Sequence, residues 1–141
     1  MSRRTLLFLF FAACLLRFAY LLDYLGSLPY ADVPIADARV NNAFADRMLR
    51  GHLVDEEYTM RSPLFPVLLA GLKGLGLSFG AIYLLQMVLG LATVVLVYRI
   101  TAHLFGRDAP LAPIIGAALF ALYGSAAFHE TNLLGVSVGV F

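Results

Sequence analysis

Apolar and polar positions in this chain segregate on the scale of whole helices. Thr5 to Leu22, Ala81 to Tyr98 and Ala109 to Phe128 are nearly free of charge, Arg17 being the exception. Each approaches the about 20 residues that a membrane-spanning helix requires. Between the first and second lies a polar island, roughly Ser27 to Ser62. The pattern predicts an all-α integral membrane protein with three spans, at about 5–25, 81–100 and 109–129, and one long loop, 26–80.

Within the loop, Val40, Phe44 and Met48 recur every four residues, with Asp46, Arg47 and Arg50 away from that face and Gly51 as a stop. The spacing predicts an amphipathic helix over about 37–50, resting its apolar side on the membrane or on the spans. The segment from Pro63 to Gly80 is apolar but carries Lys73, Pro66 and several glycines. From Pro63 to Leu77 it would reach only about 22 Å as a helix, against a hydrocarbon core of about 30 Å. A helix along the interface, about 63–77, is therefore expected in place of a fourth crossing. Tyr20, Tyr24 and Tyr30 cluster where the first span should leave the membrane, as interfacial aromatics do.

Charge sets the expected direction of threading. Arg3 and Arg4 precede the first span, and Arg99, His103 and Arg107 follow the second. By the positive-inside rule both groups face the cytoplasm, which puts the loop outside. The third span then runs outward and delivers His129 and Glu130 to the loop's side. An N-terminal Ser2-Arg3-Arg4 followed by an apolar run also fits a signal peptide, and Phe11-Ala12-Ala13-Cys14 resembles a lipoprotein cleavage box. The apolar run continues past Cys14 to Leu22, so an uncleaved first helix is the expectation.

Composition agrees: 61% of the 141 residues are hydrophobic, 13% are charged, and the mean hydropathy is +0.84, far from the soluble average. A net charge of +1 argues against nucleic acid as a partner, and the single Cys14 excludes an internal disulfide framework. The apolar end, Gly135 to Phe141, reads as the opening of a fourth span. Three spans and a loop enclose no large polar cavity alone, so more chain or partner subunits in the membrane are expected.

The chain resembles, over nearly its whole length, the GT-C type membrane glycosyltransferases that use polyprenyl-phosphate sugars, especially the bacterial branch related to protein mannosyltransferases and to tetratricopeptide-fused members. Asp37 with Ala45 and Gly51 sits like that family's first-loop acidic motif, and Pro63-Leu64-Phe65-Pro66 resembles its Pro-Leu-Tyr-Pro helix. Tyr98-Arg99-Ile100 through Leu104-Phe105-Gly106 resembles the cytoplasmic end of its second span, and Ala121-Leu122-Tyr123-Gly124 with His129-Glu130 the end of its third. The chain departs from the family at Val40-Asn41-Asn42, where many members carry aromatic residues, and at Gly135-Val136, where the tetratricopeptide-fused branch has a Lys-Glu pair.

The resemblance implies the N-terminal module of an enzyme of the bacterial inner membrane, with its N-terminus cytoplasmic, incomplete without further spans. Transfer from a lipid-phosphate sugar needs a carboxylate to accept the acceptor's proton. Cationic groups or a metal must stabilise the departing phosphate. In the resemblance Asp37 is the base, His129 and Glu130 position acceptor or a divalent metal, and Arg17, Arg39 or Arg61 faces lipid phosphate. Plainer readings stand beside these. An Asp opening a helix serves as an N-cap worth about 0.5–2 kcal/mol, Arg17 can snorkel or pack, and His129-Glu130 can be interfacial solvation. Adjacent residues alone make a poor metal site, and no further ligands are spaced to complete one. A second function class also follows: a glycosyltransferase-derived, non-catalytic subunit that packs into a larger membrane complex, for example an energy-transducing assembly.

Overall fold

The computed structural model describes residues 3–27, 33–52 and 63–133. Among the described residues the regular structure is entirely helical: α1 (Arg3–Ser27), α2 (Ala36–Leu49), α3 (Leu64–Gly74), α4 (Phe79–Phe105), α5 (Ala112–Ala121) and α6 (Gly124–Glu130). Among the described residues two stretches are long and apolar enough to cross a membrane, Phe10–Ser27 within α1 and Phe79–Phe105, and α5 with α6 makes a third if the bent pair is one span. The expected start of a fourth span, 135–141, lies outside the described residues, as does Tyr30.

α4 is the central helix. It packs against α1, α5 and α6, while α2 and α3 pack on each other. Neighbouring positions give the register of α1 on α4. Leu25 lies by Gly80, Arg17 by Gly90, and Phe10 shares a groove with Leu91 to Arg99. The two helices are therefore antiparallel. α5 lies close on α4 because small residues face it: Ala117 and Ala121 are buried, and a Cβ on Gly116 would stand 3.3 Å from Thr101 Oγ1. Small residues bring apolar helices together where there is no hydrophobic drive between them. Thr93 and Thr101 satisfy their hydroxyls within α4, on the carbonyls of Leu89 and Val97.

α4 begins at Ser78, whose hydroxyl accepts from the Ala81 N–H, and it runs past the expected 81–100 at both ends. α2 and α3 end alike. Gly51 holds φ +89° and Gly76 φ +80°. His52 N–H then donates to the Arg47 carbonyl at 3.0 Å, and Leu77 N–H to that of Leu72 at 3.2 Å. This is the left-handed glycine termination that satisfies the last carbonyls of a helix. It stops α3 at Gly74, short of the expected 77.

The third apolar segment departs from its expectation. In place of one helix over 109–129 it forms α5 and α6, bent by 50°. Pro110 and Pro113 delay its start, since proline lacks a donor and is tolerated only in a first turn. The break falls where Tyr123 turns extended, at φ −71° and ψ 97°, immediately before Gly124, a poor helix former.

On α2 the buried residues are Ala38, Phe44 and Ala45, while Val40 and Met48 are half-buried. α3 approaches α2 closely at Gly74, where a Cβ would stand 3.3 Å from Leu49 Cδ2. Asp46 is not turned away as expected. It pairs with Lys73 of α3, which also donates to Asn42 Oδ1 at 2.6 Å and stands over the Phe79 ring. Lys73, read in the sequence as a mark against a crossing, is the polar link between α2 and α3.

Candidate functional site

The polar centre of the molecule is an ion pair between Arg17 of α1 and Glu130 of α6, with 2% and 4% of their side chains exposed. α4 makes room for it with Gly90, where a Cβ would collide with the Glu130 carboxylate and stand 2.9 Å from Arg17 Nη1. Arg17 Nη2 reaches the Phe120 carbonyl at 3.4 Å, and the guanidinium lies 5.7 Å from the Phe120 ring centre. An unpaired charge among apolar helices is costly, so a buried cation and anion at this depth satisfy each other.

The depth of the pair differs from the expectation. Glu130 was to emerge at the end of a span; it instead sits beside Gly90, about 16 Å along α4 from Phe79 at 1.5 Å per residue. The bend between α5 and α6 takes up the length that would have carried it to the surface. Of the readings open for Arg17, facing lipid phosphate, snorkelling or packing, the structure has it turned inward and packed, paired with Glu130. His129 takes no part in the ion pair; its ring lies edge-on to Phe128, 5.5 Å between centres. Among the described residues, Arg17 Nε and His129 Nδ1 are buried with no hydrogen-bond partner.

Asp37 is exposed in the first turn of α2. It does not occupy the cap position, which is held by Ile35. The carbonyl of Ile35 accepts from the N–H groups of Ala38 and Arg39, at 3.1 and 3.4 Å. Ala36 enters the helix at φ +50°, a left-handed conformation that costs an L-residue about 1–2 kcal/mol. Asp37 therefore lies in the first turn, at the positive end of the helix dipole, and not at the cap.

One turn further, Asn41 Nδ2 donates to the carbonyl of Leu133 at 2.8 Å. Leu133 is fully buried and follows Glu130 by three residues. This bond holds the second turn of α2 beside the chain leaving α6, although the two are distant in sequence. Asn41 belongs to the Val40-Asn41-Asn42 departure, and its partner is a backbone carbonyl, so the sequence carried no signal for it.

Arg39 is exposed on α2, and Arg61 lies outside the described residues. Tyr24 packs edge-on against the buried Tyr83 at 5.8 Å, so this member of the tyrosine cluster is a packing residue. Among the described residues no three His, Cys, Asp or Glu side chains converge as a metal-binding group.

No family model matches the chain, and no curated protein or solved structure is significantly similar to it.

Proposed function

We propose that this chain is the N-terminal module of a membrane glycosyltransferase, moving a sugar from a polyprenyl-phosphate donor to an acceptor at the extracytoplasmic face. The observation that carries the reading is the Asn41–Leu133 hydrogen bond. It ties α2 to the segment that follows the Arg17–Glu130 pair, and the exposed Asp37 stands one turn along α2 from that bond. A solvent-facing carboxylate on an element anchored to the helical bundle is what a general base requires.

In this reading the acceptor's oxygen forms a bond to the anomeric carbon as the bond from that carbon to the phosphate oxygen breaks. The acceptor's proton passes to Asp37, and the lipid phosphate leaves with the electron pair. Arg39, exposed on the same opening turn of α2, is the described cation nearest in sequence to Asp37 and would meet the lipid phosphate from a different side of the helix. Arg17 and Glu130 act at a remove, by setting α6 and with it the support of α2. The basic residues Arg99, His103 and Arg107 then face the cytoplasm of a bacterial inner membrane, together with the N-terminus. Further spans, in the same or another chain, supply the donor groove.

A second reading, a non-catalytic subunit of a larger membrane complex, is favoured by the outer surface of α1. Leu7, Phe8, Phe11, Leu15, Leu16 and Leu22 are all exposed there, available to lipid or to neighbouring helices.

Asp37→Asn separates the readings. In the completed enzyme it lowers transfer from a radiolabelled polyprenyl-phosphate sugar by on the order of 10²–10⁴-fold, the weight of a general base, with assembly unchanged. Unaltered transfer, or stoichiometric co-purification with membrane subunits whose stability depends on this chain while glycans stay the same, decides for the subunit.

A further inference from the structure

At the end of α4 opposite to α2 and α3, an elongated groove of about 530 Å³ lies between α1 and α4. Its walls are Phe10 of α1 and Val88, Leu91, Ala92 and Val95 of α4, and Arg99 stands at its mouth. From Val88 to Arg99 the groove follows α4 for about 16 Å, which is the depth of one leaflet's half of an about 30 Å hydrocarbon core. Below Arg99 every named wall residue is apolar, and Arg99 itself is exposed.

The basic character continues beside the groove. A second cavity, of about 670 Å³ between α4 and α5, has His103 and Arg107 in its wall, one and two turns beyond Arg99. An exposed cation at the mouth of an apolar channel as long as one leaflet is deep matches a phospholipid in shape and in charge. We infer that the groove holds one acyl chain of an anionic bilayer phospholipid, with its phosphate on the Arg99 guanidinium. A zwitterionic lipid fills the same channel but offers no net negative charge to Arg99. The preference is therefore for the anionic headgroup, and the contacts made there hold α1 on α4. Nothing in this inference depends on glycosyl transfer, and it stands or falls separately from the base role of Asp37.

The test uses the purified chain in mild detergent, incubated with equal amounts of phosphatidylglycerol and phosphatidylcholine, with bound lipid counted by native mass spectrometry. The native chain retains phosphatidylglycerol about fivefold over phosphatidylcholine, the weight of one basic side chain at an anionic surface. Arg99→Gln brings the ratio close to one, Arg99→Lys keeps it, and Ala92→Phe, which fills the channel, reduces retention of both lipids. Three results overturn the assignment. The first is an unchanged ratio in Arg99→Gln. The second is an equal loss in Arg107→Gln, which means diffuse surface attraction in place of a site. The third is displacement of phosphatidylglycerol by equimolar undecaprenyl phosphate, which gives the groove to a different lipid.

Discussion

Arg17 and Glu130, 113 positions apart, meet as an ion pair closed off between α1, α4 and α6, with Gly90 leaving the space that both need. The pair decides where the short α6 lies, because a carboxylate at that depth has no water to turn to. Through Leu133 and Asn41 it also bears on the position of α2.

Removing one member of the pair is expected to cost more than removing both. Glu130→Ala leaves the Arg17 charge buried and uncompensated, a loss of about 3–5 kcal/mol. Arg17→Met combined with Glu130→Leu fills the space with apolar groups and recovers most of it. Unfolding by SDS titration from dodecyl maltoside micelles measures both. A double variant no more stable than Glu130→Ala alone would show that the charges do more than neutralise each other.

Glycine substitutions should split by position. Gly90→Ala places a methyl group against the Glu130 carboxylate and Arg17 Nη1. The overpacking, about 1–3 kcal/mol, exceeds the helix propensity that alanine adds, about 1 kcal/mol. Gly71→Ala, in α3, meets nothing within 4 Å and gains the propensity alone. Melting temperatures of the two variants should move in opposite directions.

Lys73→Met is expected to loosen α2 from α3 without unfolding the spans. Lys73 and Asp46 are partly open to solvent, at 19% and 36%, which holds the pair's weight to about 1 kcal/mol. Amide hydrogen exchange over 36–49 should quicken about fivefold, while exchange in α4 stays as it was. Equal acceleration in both would mean that α2 and the spans unfold as one unit.

The threading of the chain is open to a labelling test in a Cys14→Ser background. Arg50→Cys and Asp108→Cys are both at exposed positions. A membrane-impermeant maleimide applied from outside should reach the first and not the second. Labelling of both from one side would overturn the arrangement in which the loop and the Arg99 end lie on opposite faces.

Much of the helix inventory was legible from local signals. The lengths of the apolar runs announced α1 and α4, the four-residue spacing of Val40, Phe44 and Met48 announced α2, and Gly51 marked its end. Lys73 and the glycines after Pro66 marked a short helix, and the structure has one over Leu64–Gly74, ending three residues earlier than expected, because such effects on helix continuity act over a turn or two. Asp37 was legible as a residue of interest at the start of α2, but its position inside the first turn turned on how Ile35 and Ala36 enter the helix.

What the sequence determined by itself, then, is where apolar helices form and where they stop, since hydropathy, helix propensity and glycine conformation are properties of neighbouring residues. Only the tertiary structure decided that the third segment bends at Tyr123, that Glu130 turns inward to Arg17 at the level of Gly90, and that Asn41 grips Leu133. Those outcomes depend on the antiparallel register of α1 on α4 and on where α6 meets them. Register is set by which small residues let which helices close and which buried charges must then find each other. No window of adjacent residues contains that information, because the partners that satisfy Arg17 and Asn41 lie at the far end of the chain.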